Sequence, residues 1–284
     1  MQIINDPKQL HSKIKQLKQQ ALEIAFVPTM GNLHHGHMQL VGQARKKAAV
    51  VVVSIFVNPM QFNNPQDLQN YPRTLEADKK ALEQQGVDIV FIPSPEVIYP
   101  NGLAAQTYVE VPQLSDCLEG ALRPGHFRGM TTIVNKLFNL VQPDYAFFGE
   151  KDFQQLAIIK QMVADLALPI EIIPVAIVRD LNGLALSSRN SKLSAAEKEQ
   201  APCLAKAMNQ LADNLQSQSG EHALLINKTS QELSDAGFNV DAIDIVDSKT
   251  LQAVDQNTQE AVILIAAYLG DTRLIDNKVV NLCA

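Results

Sequence analysis

The sequence predicts an α/β protein built in two parts: a Rossmann-like parallel sheet with flanking helices, then a smaller C-terminal α+β domain. Three observations carry this expectation. From Ile24 to about Ile177, short β-branched apolar runs alternate with amphipathic stretches. Several of those runs are apolar at nearly every position, as strands covered on both faces are. After Asn190 the texture changes to two helical stretches followed by strands, the pattern of an α+β unit.

Taken in order, the strands are expected at 24–27, 50–57, 87–92, 145–148 and 170–178, and the helices between them at 38–48, 74–85, 131–141 and 153–167. Such alternation implies βαβ units joined by right-handed crossovers. Ligands then gather beyond the carboxyl ends of the strands. In the second part, Ser194 followed by Glu197 reads as a capping box. It would open a helix over 195–215 with Leu204, Ala207, Met208 and Leu211 on one face. A turn at 216–220, a second helix to Ala236 and strands at 240–246, 261–269 and 272–275 complete the chain. The domains are set at 1–178, binding substrates, and 179–284, serving as a lid. Segment 103–111 (LAAQTYVEV) reads as an extra extended stretch. It is either an edge strand that a second copy covers or a strand buried within its own domain.

Composition narrows the function. With 24 basic and 30 acidic residues the net charge is −6, which argues against broad nucleic-acid binding. Cys117, Cys203 and Cys283 are far apart with no CxxC spacing and read as reduced thiols. The N-terminal stretch lacks the apolar core of a secretory leader. No apolar run approaches the ~18 residues of a membrane span. A cytoplasmic protein with neither membrane nor nucleic acid as partner is expected.

The chemistry-bearing residues fall in four segments. The first is VPTMGNLHHGH, from Val27 to His37, between the first strand and the first long helix. Pro28 ends the strand, and Gly31 allows a sharp turn. His34 and His37 flank Gly36 at the helix start, where backbone N–H groups and the helix dipole favour an anion. Two imidazoles there can stabilise charge developing on a phosphate. This is the H-x-G-H pattern of a nucleotidyltransferase superfamily. A zinc site is the alternative, but no nearby Cys or carboxylate completes a tetrahedral set. His35 points elsewhere, and His11 and His222 read as surface residues. In the second segment, SIFVNPMQF, Gln61 follows a buried strand, and its amide can both donate and accept. In the third, FFGEKDFQQL, Lys151 is a compact cation for phosphates. There Asp152 either caps the helix or binds a ribose hydroxyl, and Gln155 lies one turn further on. In the fourth, LALSSRN, Ser187, Ser188 and Arg189 can clasp a triphosphate. Each of the last three, alone, reads equally as an ordinary loop or helix start.

Together these segments, with YPRTLEAD and GHFRG between them, resemble the pantoate–β-alanine ligase family over nearly the whole chain. FFGEKDFQQL and VNPMQF carry the resemblance more specifically than H-x-G-H. Phe153 stands where many relatives carry Tyr, and Leu186 where some carry Met. The resemblance implies a two-step reaction: pantoate and ATP form pantoyl-adenylate and pyrophosphate, then β-alanine displaces AMP to give pantothenate. It implies an ATP site of Met30, Gly31, Asn32, Leu33, His34, His35, Gly36 and His37. Gly149, Glu150, Lys151, Asp152, Val178, Leu186, Ser187, Ser188 and Arg189 would join that site. His34, His37, Lys151 and Arg189 are its catalytic residues, Gln61 and Gln155 bind pantoate, and Gln61 also meets β-alanine. Mg²⁺ accompanies ATP, with Asp78 a candidate partner to its water shell, and a homodimer is implied. Residues 63–70, rich in Asn and Gln, are a candidate gate. Two other readings fit the residues alone: a nucleotidyltransferase with a phosphorylated acceptor, and a non-enzymatic ATP-binding module.

Overall fold

The computed structural model describes residues 1–217 and 221–282. The expected turn at 216–220 therefore falls largely outside the described residues, as does Cys283. The chain divides into two compact units, Met1–Glu150 with Gln154–Ala176, and Lys151–Phe153 with Ile177–Ala284. Val178 and Lys151 thus both belong to the second unit. Among the described residues no helix is long and apolar enough to cross a membrane.

The first unit is a six-stranded, all-parallel sheet. Its elements run β1 (Gln2–Ile4), α1 (Pro7–Gln19), β2 (Ile24–Thr29), α2 (His35–Lys47), β3 (Val50–Ile55), α3 (Pro65–Gln69), α4 (Leu75–Gln84), β4 (Ile89–Phe91), α5 (Pro95–Ile98), α6 (Glu119–Leu122), α7 (His126–Val141), β5 (Tyr145–Gly149), α8 (Phe153–Asp165) and β6 (Glu171–Val175). The strand order is β1-β4-β3-β2-β5-β6. Alternate residues of the central strands supply two separate cores. Ile24, Phe26, Val52, Phe91 and Phe148 pack with Ile14, Ile133 and Phe138. Ala25, Val27, Val53, Val90 and Phe147 pack with Val41, Ala44 and Leu82. A sheet covered on both faces needs this apolar run without alternation.

The chain leaves β2 toward β3 on one side, while β5 lies on the other. That reversal is the switch point where such sheets bind ligands. β2 stays paired with β3 through Thr29 but pairs with β5 only at Ala25 and Phe26. The two strands part toward Pro28, which lacks a backbone N–H for a ladder. Pro28 nonetheless pairs with Ser54 and lies inside β2 rather than ending it.

Other elements also depart from expectation. β1 is too short to show a period in sequence, yet it pairs in parallel with β4. β6 stops at Val175 rather than 178. α7 begins at His126, after Gly125 in the left-handed conformation (φ 81°), because the apolar period hides the small and polar first turn. Segment 103–111 forms no strand. Its Val109 N–H donates to Thr132 Oγ1 at 2.9 Å, and its Val109 carbonyl accepts from Thr131 Oγ1 at 2.6 Å. Side chains of α7 thus satisfy the backbone of Val109, and the edge-strand argument for a dimer surface falls. Segment 63–70 forms the short helix α3, capped by Asn64.

The second unit packs α9 (Ala195–Gln200), α10 (Pro202–Ser217) and α11 (His222–Asp235) with an antiparallel sheet of β7 (Asn239–Asp247), β8 (Glu260–Leu269) and β9 (Thr272–Asn281). The sheet order is β7-β8-β9. The capping box forms, with Ser194 N–H donating to Glu197 Oε2 at 2.7 Å and Glu197 N–H to Ser194 Oγ at 3.3 Å. The expected single helix is instead two, because Pro202 has no N–H to continue the first. Leu204, Ala207, Met208 and Leu211 are buried on α10, as the period predicts. On β7, burial alone pushes the Asp244 carboxyl above its ordinary value. Its charge opposes folding above the unfolded value and ceases to do so as the group protonates in acid. Asp244→Asn should therefore raise the melting temperature at pH 7, and the gain should shrink as pH falls through the raised native value and be gone below about 4, where the unfolded carboxyl protonates too, read by thermal melts across pH.

Candidate active site

Three loops at the carboxyl ends of β2, β3 and β5 carry most of the candidate residues of the first unit. After β2 the chain turns through Gly31 (φ 84°) and Asn32 (φ 49°). A Cβ at Gly31 would lie 3.1 Å from Ile55 Cγ2 and 3.2 Å from Asp78 Oδ2, so space as well as φ favours glycine. The turn is held from α4. Asn32 N–H donates to Asp78 Oδ2 and Leu33 N–H to Asp78 Oδ1, each at 2.9 Å. Thr74 Oγ1 adds a third bond to Asp78 Oδ1 at 3.0 Å. The buried Asp78 carboxylate is thus engaged on both oxygens by protein donors.

His34 is the N-cap of α2, and the two motif histidines cap each other. His34 Nδ1 accepts from Gly36 N–H at 3.1 Å, and His37 Nδ1 accepts from His34 N–H at 3.3 Å. The ring centroids lie 4.1 Å apart. An Nδ1 that accepts from a backbone N–H places the proton of a neutral imidazole on Nε2. Both rings therefore carry their donor on Nε2. The Gly36 N–H, which the sequence offered to a phosphate, is engaged by His34 instead. His35 is exposed, as its position between the motif histidines suggests.

After β3, Asn58 and Gln61 form a buried amide pair. Asn58 Nδ2 donates to Gln61 Oε1 at 3.1 Å and to the Gly129 carbonyl at 3.0 Å. Gln61 Nε2 lies 3.2 Å from Met30 Sδ, joining the loops that follow β3 and β2. The Gln61 carbonyl accepts from His126 Nδ1 at 2.7 Å. Gly129 explains part of GHFRG: a Cβ there would sit 2.4 Å from the Met60 carbonyl oxygen and 2.7 Å from Gln61 N. Only glycine lets α7 approach this turn.

After β5, Gly149 ends the strand and Glu150 N–H bonds the Val175 carbonyl at 2.9 Å. On α8 the adjacent glutamines divide their work. Gln154 is buried and donates to the carbonyls of Leu114 (2.8 Å) and Cys117 (2.9 Å) while accepting from Glu119 N–H (3.1 Å). It holds the 114–119 loop. Gln155 is half-buried.

In the second unit, Asn277 Nδ2 bonds the Lys151 carbonyl at 2.8 Å, and Asp152 is exposed. The Val178 carbonyl accepts from Leu186 N–H at 2.9 Å, so it closes a hairpin. That hairpin is braced by Arg179, whose guanidinium grips the buried Asp276 carboxylate at 2.5 and 2.9 Å. Ser187 caps a 3₁₀ turn by accepting from Arg189 N–H at 3.2 Å. Leu186, Ser187, Ser188 and Arg189 are all half-buried.

A model of the family described as pantoate–β-alanine ligase matches residues 2–279. The chain belongs to the pantoate–β-alanine ligase family. It is 69% identical over 282 residues to the pantothenate synthetase of Psychromonas ingrahamii, covering 99% of this chain and 98% of that one. It is 59% identical over 284 residues to that of Aeromonas hydrophila, covering 99% of each. Among solved structures, pantothenate synthetase from Thermus thermophilus superposes with a TM-score of 0.88 at 40% identity, covering 98% of this chain and 99% of that one. The Francisella tularensis ligase, complexed with β,γ-ATP and β-alanine, gives 0.82 at 38% identity, covering 98% and 97%. The chain is therefore an enzyme that forms pantothenate from pantoate and β-alanine.

Within this ligase fold, sequence reasoning missed Asp78, Asn58, His126 and Gly129 as holders of the site, and Tyr99, whose hydroxyl donates to Asn58 Oδ1 at 2.6 Å. YPRTLEAD and GHFRG marked three of them without this role, since each acts on a loop far away in sequence. Among the described residues no group of three His, Cys, Asp or Glu side chains is placed to hold a metal ion.

Proposed function

We propose that the enzyme activates pantoate as an acyl-adenylate before forming the amide. The pantoate carboxylate attacks the α-phosphorus of ATP, a new P–O bond forms, and pyrophosphate leaves. The β-alanine amine then attacks the acyl carbon, and AMP leaves as the amide forms. The observation that supports this reading best is the reciprocal capping of His34 and His37, which holds both rings at the start of α2 with the proton of each neutral imidazole on Nε2. Donors held in place before reaction stabilise charge on a phosphate without reorganisation. Lys151, Ser187, Ser188 and Arg189 supply cations and hydroxyls for the triphosphate. Gln61 and Gln155 hold pantoate, and Gln61 also meets β-alanine. Mg²⁺ enters as the counter-ion of ATP, a part of the substrate. The enzyme is expected to act in the cytoplasm as a homodimer, on the strength of the family resemblance.

The test is isotope exchange. Labelled pyrophosphate should enter ATP when pantoate is present and β-alanine absent. Exchange that strictly requires β-alanine would overturn a separate adenylation step. The pockets are separated by a second measurement. Gln155→Ala should raise the KM for pantoate about tenfold or more, the scale of a hydrogen bond to a charged group, and leave that for ATP unchanged. Lys151→Ala and Arg189→Ala should do the reverse. Equal shifts in both constants for all three variants would mean the pockets are wrongly assigned.

A further inference from the structure

We infer that Tyr99 and Asn58 are positioning residues that fix the polarity of Gln61, so that Gln61 meets its substrate as a hydrogen-bond donor. This rests on the reading of Gln61 as a pantoate-binding residue. An amide side chain can present either end, and the sequence leaves both open. The structure closes the choice in three steps.

The first step is the Asn58 amide, which is almost wholly buried and cannot turn over. Its Nδ2 faces the Gly129 carbonyl at 3.0 Å, a group that only accepts. Its Oδ1 faces Met60 N–H at 3.3 Å, a group that only donates. The second step is Tyr99. Its hydroxyl donates to Asn58 Oδ1 at 2.6 Å, and burial pushes its ionisation well above the usual phenol range, so it remains a neutral donor. The third step follows from the first two. The other Asn58 Nδ2 hydrogen must meet an acceptor, and at 3.1 Å it meets Gln61 Oε1. Gln61 then turns Nε2 toward Met30, in the loop leading to His34. A reversed Gln61 would set its NH₂ against the NH₂ of Asn58, leaving two buried donors unpaired.

The chemical consequence is selectivity. Gln61 meets a carboxylate or hydroxyl oxygen of the acid, and a substrate with an ammonium group at that place would lose the bond. A buried polar group left unpaired is the strongest basis for rejecting an analogue.

The experiment measures pyrophosphate exchange with pantoate and ATP in four variants: Asn58→Asp, Tyr99→Phe, Gln61→Ala, and Asn58→Asp combined with Gln61→Ala. Aspartate keeps the shape of asparagine but cannot donate to Gln61 Oε1. Asn58→Asp should raise the KM for pantoate at least tenfold and change that for ATP less than twofold. Tyr99→Phe should shift the same constant about threefold in the same direction. In the Gln61→Ala background, Asn58→Asp should add less than a twofold change. Full additivity in the double variant would overturn the inference while sparing the role of Gln61. An unchanged pantoate KM in Gln61→Ala alone would overturn the role of Gln61, and this inference with it. Where Asn58→Asp does not fold by thermal melt, Tyr99→Phe decides: a pantoate KM equal to that of the parent enzyme sinks the inference.

Discussion

Replacing His37 with alanine lowers the rate of pantoate-dependent pyrophosphate exchange by about 10²–10³-fold, the usual cost of removing one donor from a developing charge. The effect is on the rate more than on the KM for ATP, because the donor gains strength as charge builds. His34→Ala produces a drop of similar size and adds a second defect. It removes the N-cap side chain that accepts Gly36 N–H, whereas His37→Ala removes only the longer reciprocal bond to His34 N–H. Loss of a cap destabilises a helix by roughly 0.5–2 kcal/mol. The two variants should therefore separate in thermal melts: His37→Ala melts closer to the parent enzyme than His34→Ala does. Stopped exchange assays and calorimetry check both points. Near-normal turnover in either variant would reassign that histidine to structure alone.

Gly129→Ala weakens activity by a different route. A single added methyl group would sit 2.4 Å from the Met60 carbonyl oxygen and 2.6 Å from its carbon. Both are backbone atoms, so no side chain can swing away. Either α7 or the 59–61 turn must move. The bond from Asn58 Nδ2 to the Gly129 carbonyl is strained by the same displacement. Overpacking of this kind typically costs about 1–3 kcal/mol of stability. The larger effect is on pantoate: its KM should rise tenfold or more as Gln61 leaves its position, since a misplacement of about 1 Å can cost 10²-fold in rate. A Gly129→Ala enzyme with parental kinetics would show that α7 does not set the Gln61 turn.

Much of the architecture was readable because its causes are local. The run Val50–Val53 has no alternation, and β3 is buried at all six positions. Ser194 and Glu197 sit three residues apart, and the capping box they imply forms. His34 and His37 lie within one helical turn, so their proximity is also local. Most departures arise where distant chain segments intervene. Segment 103–111 has the composition of a strand, but Thr131 and Thr132 of α7 take up the hydrogen bonds of Val109. A helix expected over 195–215 breaks for a local reason instead: Pro202 has no N–H to continue the first helix. Gln154 and Gln155 look alike in sequence; the angle of α8 buries the first against the 114–119 loop and leaves the second half-exposed.

By itself the sequence determined the parallel sheet, the place of H-x-G-H after its first long strand, and the residue types that phosphate and acid chemistry require. Periodicity and short spacings suffice for these, since each depends on neighbours along the chain. Only the tertiary structure decided which way those groups face. Asp78 grips Asn32 from 46 positions away, Tyr99 directs Asn58 from 41, and the Gly129 carbonyl receives Asn58 from 71. An amide or carboxylate has no preferred direction of its own. Its orientation is set by the fixed backbone donors and acceptors that folding brings against it.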